Sequence, residues 1–202
     1  MKVNYLLAAS VILLGMSRPA VAQPEPWFHP DGSIHYYNAV ATQAGISWIE
    51  ASDSAQQRGG YLATLTSQDE NDFVFGLVCS CDYWYSRPGS HLWAGPWLGG
   101  RQRAGAPEPD SGWEWVSGER FDFVNWSPGQ PNNVGDQDAL NFGESPFYWL
   151  PTWNDVSSLD TAIRGYVVEL SAESTTIGLL QNDTNAFVGY TMFSQAGRSP
   201  PI

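Results

Sequence analysis

Cysteine is scarce in this sequence of 202 residues, which contains only Cys79 and Cys81. Two cysteines separated by one residue can close only a small strained ring, so we expect two thiols or a labile local bridge. A metal site at this pair would need further cysteines or clustered histidines, and the sequence has neither. Any fold of this chain must therefore be stable without long-range disulfides.

Basic residues are also few: 9 Lys and Arg stand against 21 Asp and Glu, and the formal charge is −12. Phosphate recognition requires clustered Lys and Arg, so this balance argues against nucleic acid as a partner. An acidic surface suits neutral ligands and divalent cations, although the solubility of an exported protein explains the same charge. With 15% charged residues beside 10 Trp, 9 Tyr and 9 Phe, we expect an aromatic core under an uncharged polar surface.

Long apolar runs are absent except for the segment from Tyr5 to Gly15, which is shorter than the ~20 residues of a membrane-spanning helix. Lys2 precedes this run, and the small residues Ala20-Val21-Ala22 follow it. That order is typical of a secretory signal peptide over residues 1–22. No cysteine follows the predicted cleavage site after Ala22, so there is no attachment point for a lipid. We therefore expect a secreted or periplasmic protein without a membrane anchor.

Two serine-to-glutamate spacings predict two helices. Ser47 and Glu50, and again Ser67 and Glu70, have the spacing of a capping box, in which the serine hydroxyl and the glutamate carboxylate satisfy free backbone donors. Short aromatic or alternating segments predict strands at 34–40, 61–65, 97–99, 113–116, 121–125, 148–153 and 166–170. We therefore predict an α+β domain over residues 33–171, with two helices packed beside short antiparallel sheets.

The flanking segments are interpreted separately. Residues 23–32 contain Pro24, Pro26 and Pro30 and are predicted to be a linker. Residues 172–202 are predicted to be a tail that is either disordered or part of a truncated second domain.

A long segment without regular structure is predicted between Ser127 and Phe147. Loops of this length are uncommon in compact domains unless they bind something. This loop and the segment after it are rich in side-chain oxygens, which a hard cation such as calcium requires. The oxygen-bearing residues are Gln130, Asn132, Asn133, Asp136, Asp138, Asn154 and Asp155. Composition alone leaves a second interpretation open, because Asn, Asp and Pro are also ordinary turn residues.

A series of ordered motifs resembles the C-type lectin domain, in the version found in exported bacterial proteins. These motifs span about residues 33–170 and read WIEA (48–51), GGYLATL (59–65), ENDF (70–73), WLGG (97–100), GWEW (112–115), NWSPGQPNN (125–133), WND (153–155) and YVVE (166–169). The resemblance implies a C-type lectin-like fold with a long calcium- and ligand-binding loop. It also implies calcium-dependent binding of carbohydrate.

The resemblance further implies which residues form the site. The calcium ligands would be Gln130, Asn132, Asp138, Asn154 and Asp155, and the peptide bond before Pro131 would be cis. Gln130, Asn132, Asp138 and Asn154 would also contact two sugar hydroxyls bound to the same ion. Trp149 could stack on a sugar ring, although a core position on a short strand explains this residue as well.

The sequence departs from the family in two respects. Ala55, Leu140 and Val168 stand where the family has disulfide cysteines, and Ser157 or Ser158 stands in the fourth position. Small and apolar replacements suit buried sites that have lost their bridges. The Gln-Pro-Asn motif at 130–132 matches neither the mannose-type Glu-Pro-Asn nor the galactose-type Gln-Pro-Asp, so the sugar class and the oligomeric state stay open.

Two other functions compete with lectin activity. Enzymatic activity is not favoured, because His29, His35 and His91 are scattered and no Gly-x-Ser-x-Gly turn occurs, but a carboxylate pair for glycoside hydrolysis remains an alternative. The stronger alternative is a calcium-independent, protein-binding or adhesive domain of the same fold, because one fold supports many functions.

Overall fold

The computed structural model describes residues 23–86, 93–143 and 149–170. Two helices, α1 (Trp48–Gln57) and α2 (Gln68–Leu77), occur in the first part. The strands are β1 (Glu25–Phe28), β2 (Ile34–Ala41), β3 (Gly60–Leu62), β4 (Tyr85–Ser86), β5 (Trp93–Gln102), β6 (Trp113–Trp115), β7 (Ala139–Gly143), β8 (Trp153–Val156) and β9 (Gly165–Leu170). The predicted signal peptide (1–22) and tail (172–202) lie outside the described residues. Within those residues, no helix is long and apolar enough to span a bilayer.

The strands join in one mixed sheet of nine, which corrects the expectation of several small antiparallel sheets. Its main order is β1-β2-β9-β5-β7-β8, with β3 added to β9 and with β4 and β6 added to β5. The pairing of β2 with β9 brings the two ends of the described domain together. A parallel contact between Trp97 and Tyr166 then links β5 to β9. The α+β class predicted from the sequence is confirmed.

The predicted linker is wrong, because Glu25–Phe28 pairs with the first half of β2. Pro26 lies opposite Tyr36 in this antiparallel ladder, and β1 is the edge of the sheet. An edge strand tolerates proline, since the missing N–H can face away from its only neighbour. The folded domain therefore begins near residue 25 and not at 33.

The first capping box is complete. Ser47 Oγ accepts from the Glu50 amide at 3.2 Å, and Glu50 Oε2 accepts from the Ser47 amide at 3.0 Å. The helix buries Trp48, Ala51 and Ala55 on one face, as the spacing predicts. Gly59 follows at φ 84°, the left-handed conformation that favours glycine.

The second capping box forms only in part. Ser67 Oγ accepts from the Glu70 amide, but the Glu70 carboxylate binds the amide and hydroxyl of Thr66, at 2.7 and 2.9 Å, and the Tyr37 hydroxyl at 2.6 Å. Tyr37 comes from β2, so a tertiary contact has replaced the local one. Glu70 is consequently 1% exposed, which is unusual for a residue in the first turn of a helix.

Aromatic side chains form much of the core, as the composition predicts. Trp48, Trp97, Trp113 and Trp115 are buried, and Trp126 is half-buried with its ring against Trp113. The positions of the family's missing cysteines are filled as expected: Ala55, Leu140 and Val168 are each 0% exposed. The fold therefore replaces disulfide restraint with packing at these three sites.

Three predictions in the second half of the chain are wrong. Of the strand predicted over 148–153, the described residues before Trp153 are irregular, and β8 begins only at Trp153. Residues 121–125 do not form a strand; Phe121 and Phe123 instead pack their rings on Trp153 from an irregular segment. The segment Ala139–Gly143, which was assigned to the long loop, is the fully buried strand β7. Because both faces of β7 are covered, its sequence lacks the alternation of apolar and polar residues that marks a half-buried strand. The irregular segment after Ser127 therefore ends at Asp138.

Candidate functional site

The loop that spans residues 127–138 is attached at its start to β8. The Ser127 amide donates to the Trp153 carbonyl at 2.8 Å, and the Trp153 amide donates to the Asn125 carbonyl at 2.8 Å. The Ser127 hydroxyl also contacts the Gly143 carbonyl and the Thr152 hydroxyl, each at 2.7 Å. The Gln130–Pro131 peptide bond is cis, as the resemblance predicts.

Asp155 connects the middle of this loop to β8. Its carboxylate accepts from the Asn132 amide at 2.9 and 3.1 Å and from the Asn133 amide at 2.7 Å. The side chain is 0% exposed. Backbone donors make strong hydrogen bonds to a carboxylate, so Asp155 holds the middle of the loop against the strand without a bound cation. This arrangement brings Asn132, Asn154 and Asp155, three predicted site residues, to one edge of the sheet.

The loop is also closed by its own side chains. Asn132 Oδ1 and Gln137 Oε1 both accept from the Val134 amide, at 3.0 and 2.8 Å, and Asn133 Oδ1 accepts from the Gln137 amide at 2.7 Å. Asn133 has φ 48° and Asp136 has φ 68°. Asn and Asp are the residues other than glycine that adopt this conformation most readily. Gln137 was not predicted to take part, although its position beside the acidic residues was a usable signal.

Asp138 does not join this group. Its carboxylate accepts from the amide and hydroxyl of Ser158, at 2.7 and 2.9 Å. It lines a separate cavity of about 450 Å³ with Trp48, Ile49, Arg101 and Glu114, among others. The structure therefore engages the carboxylate of Asp138 with Ser158, and the ligand role that the resemblance implies for Asp138 stays a prediction.

Two asparagine side chains, one in β7 and one in β8, are buried without complete hydrogen bonding. Asn154 is 3% exposed and Asn141 is 0% exposed, and the Oδ1 atom of each has no hydrogen-bond partner among the described residues. A buried acceptor without a partner costs about 1–3 kcal/mol. Such atoms are expected to bind water or a ligand with positive charge or a donor group.

Comparisons with curated proteins relate the chain to C-type lectins. A perlucin-like protein of Mytilus galloprovincialis is 26% identical over 164 residues, which cover 81% of this chain and 90% of that protein. The human C-type lectin domain family 10 member A is 26% identical over 136 residues, which cover 65% of this chain but only 35% of that protein. The chain thus corresponds to only part of this human relative. No protein-family model matches the chain.

Solved structures decide the fold. The C-type lectin domain of murine dendritic cell inhibitory receptor 2, in complex with N-glycan, matches with a TM-score of 0.53 at 20% identity, over 77% of this chain and 99% of that one. This chain has the C-type lectin fold. A calcium-independent type II antifreeze protein matches equally well, with a TM-score of 0.53 at 19% identity over 76% and 94% of the two chains. The fold belongs to a family of binding proteins, with and without calcium.

The relatives named above come from animals. The exported bacterial type suggested by the motifs therefore stays a prediction for this chain.

Trp149 packs against the aromatic core of the domain. Its ring stacks on Trp84, with centroids 5.7 Å apart and planes at 13°, and contacts the edge of Trp93 at 6.1 Å. Trp84 is 2% exposed, so Trp149 covers a buried ring. This packing favours the core interpretation of Trp149 over a sugar-stacking role.

A pair of carboxylates does occur in the domain, at Glu70 and Glu169. His35 Nδ1 lies 2.7 Å from Glu169 Oε1 and 3.8 Å from Glu70 Oε1. Both carboxylates are 1% exposed, and Glu169 also accepts from the Tyr61 hydroxyl and the Thr64 amide. The hydrogen bond to Glu169 raises the pKa of His35 above its ordinary value. Because the pair is buried and hydrogen-bonded, we assign it to stability and not to glycoside hydrolysis.

The oxygen groups at the 127–138 loop partly fit a calcium ion. Among the described residues, no three His, Cys, Asp or Glu side chains come together as a metal site. A cation at the loop would therefore have at most two carboxylate ligands, and amide oxygens would have to supply most of its contacts. The all-oxygen chemistry and the buried Oδ1 of Asn154 suit calcium, and the carboxylates of Asp138 and Asp155 are both hydrogen-bonded within the protein.

Proposed function

We propose that this domain binds carbohydrate through the 127–138 loop and strand β8, with calcium as the bridging ion. The observation that carries the proposal is the attachment of the Asn132 and Asn133 amides to Asp155, beside the buried Oδ1 of Asn154. A loop held in this way has little conformational entropy left to lose on binding. The homology to C-type lectins supports the same function.

Each protein group has a defined part in this proposal. Gln130, Asn132 and Asn154 would hold the cation with amide oxygens, of which Asn132 Oδ1 also accepts from the Val134 amide, and would offer N–H groups to sugar hydroxyls. Asp155 supplies the negative charge and holds the loop. The bound calcium would coordinate two adjacent hydroxyls of one sugar.

The expected calcium affinity is low. Calcium sites gain affinity with the number of charged ligands, and weak extracellular sites have dissociation constants of about 10⁻⁴ to 10⁻³ M. With Asp138 engaged by Ser158, the loop offers Asp155 as its carboxylate. We therefore place this site at the weak end of that range.

A calcium titration by calorimetry, followed by a glycan array with and without chelator, tests this function. Calcium binding together with chelator-sensitive binding of glycans is the expected result. Absence of calcium binding together with absence of glycan binding would contradict it.

A calcium-independent, protein-binding or adhesive role is the second candidate. The observation that favours it is that Asp155 and Asp138 are already hydrogen-bonded within the protein, so the loop is closed without a cation. The calcium-independent antifreeze protein with the same fold is consistent with such a role. Binding to the array that is unaffected by chelator would select this candidate. Neither candidate assigns catalysis to the domain, and we expect a secreted or periplasmic protein in both cases.

A further inference from the structure

Asn141 and Asn154 are direct neighbours across two strands. Asn141 lies in the middle of β7, and its register partner in β8 is Asn154. Side chains at opposed positions of an antiparallel pair project from the same face, with Cβ atoms about 4.5–5.5 Å apart. The two amides are therefore close enough to contact one small ligand.

The orientation of the Asn141 amide is determined by β5. Its Nδ2 donates to the Gly95 carbonyl at 3.3 Å. Reversing the amide would set Oδ1 against that carbonyl, and two acceptors repel each other. Asn141 Oδ1 must consequently face away from Gly95, and it has no hydrogen-bond partner among the described residues.

The unpartnered oxygen of Asn154 presents the same requirement. Two carbonyl oxygens cannot satisfy each other, because both are acceptors. A shared group that carries positive charge or donates hydrogen bonds would satisfy the pair, and a hard cation does so with both oxygens at once.

We propose that Asn141 supplies a side-chain oxygen to the same calcium ion as Asn154. This inference rests on the proposed function. It adds a side-chain oxygen to those of Gln130, Asn132, Asn154 and Asp155, while the carboxylate of Asp138 is hydrogen-bonded by Ser158. The added ligand is a neutral amide, and the expected calcium affinity is low for that reason.

Substitution of Asn141 by Leu and by Asp tests this assignment through calcium calorimetry and thermal melts in chelator. Asn141→Leu removes a buried oxygen without a partner, so the Tm in chelator should be unchanged or higher. The calcium dissociation constant should increase by about tenfold or more. Asn141→Asp should do the reverse, with a lower Tm in chelator and calcium binding about tenfold tighter.

Gln102→Met is the matched control, because Gln102 is a buried amide of β5 that donates to the Pro109 and Ser111 carbonyls. This variant should lower the Tm both in chelator and in calcium, and it should leave the calcium dissociation constant unchanged.

The outcomes separate the alternatives. If Asn141→Leu and Asn141→Asp both bind calcium as the wild type does, the pair holds water and the inference is overturned. If Asn141→Leu does not fold, Asn141→Asp alone decides, since tighter calcium binding supports a ligand role and unchanged binding refutes it. A wild type that releases no heat with calcium overturns the inference together with the calcium part of the proposed function. Normal calcium binding by wild type and variants alike overturns the inference only.

Discussion

Replacing Asp155 by Asn tests whether this carboxylate both holds the loop and binds the cation. The amide keeps one acceptor oxygen but turns an NH₂ group toward the second backbone donor. Asp155 is 0% exposed and accepts from two amides, so the change removes at least one charge-assisted hydrogen bond. Such a bond contributes about 1.5–3 kcal/mol, and we expect a loss of roughly 2–3 kcal/mol in the free energy of unfolding.

That loss has a measurable size in a thermal melt. For a chain of this length each 1 kcal/mol lowers the Tm by about 2–4 °C, so Asp155→Asn should melt roughly 4–12 °C below the wild type in chelator. The calcium dissociation constant should increase by about tenfold or more, because the site loses its carboxylate. Binding to a sugar column should disappear with it.

Asp138→Asn is the matched comparison, since the resemblance and the structure disagree about this residue. Its carboxylate contacts Ser158, so we expect a lower Tm but a calcium affinity within about twofold of the wild type. Equal losses of calcium affinity in the two variants would refute the geometry described for Asp138. An unchanged Tm of Asp155→Asn in chelator would refute the anchoring role of Asp155.

Three further results are expected. Calcium at about 100 times its dissociation constant should raise the free energy of unfolding by about 2.7 kcal/mol, and melts that do not respond to calcium or chelator would contradict the site. Gln130→Glu should tighten calcium binding by about tenfold and favour mannose over galactose in calorimetry, because it adds a carboxylate and creates the Glu-Pro-Asn pattern. The pKa of His35 is raised chiefly by its hydrogen bond to Glu169, with Glu70 and Glu119 acting in the same direction. The interaction of protonated His35 with these carboxylates therefore stabilises the fold fully below about pH 6.5, and this stabilisation is lost as the pH rises through the folded-state pKa. His35→Gln should thus cost more stability in urea unfolding at about pH 6 than at about pH 9, and equal costs would count against this pair.

The helices could be predicted from the sequence because their signals are local. Ser47 and Glu50 are three residues apart and need no other partner, and α1 begins where they indicate. Glu70 has the same spacing from Ser67, yet its carboxylate is taken by Thr66 and by Tyr37 of β2. The difference depends on a tertiary contact, which the local spacing does not encode.

The position of Asp138 could not be predicted for a related reason. Alternate residues of an extended chain point to opposite sides, so an error of one residue in counting reverses the side. Gln137 contacts Asn133 and Val134 inside the loop, whereas the next residue, Asp138, contacts Ser158. The residue at which β7 begins decides whether Gln137 or Asp138 faces the loop. A strand that is buried on both faces has no alternation of polar and apolar residues, so the sequence does not mark where it begins.

The double role of Asp155 determines how strongly the domain can bind a cation. A carboxylate has about four lone-pair positions, and the amides of Asn132 and Asn133 occupy two or three of them. At least one position remains, so a cation can bind to one oxygen while both hydrogen bonds persist. The amides withdraw negative charge that would attract the ion, but they also hold the loop in place before the ion arrives. Because ordering a free loop costs roughly 1–2 kcal/mol per residue, the prior ordering is the larger effect. If the domain binds calcium as proposed, the loop would therefore do so with little rearrangement.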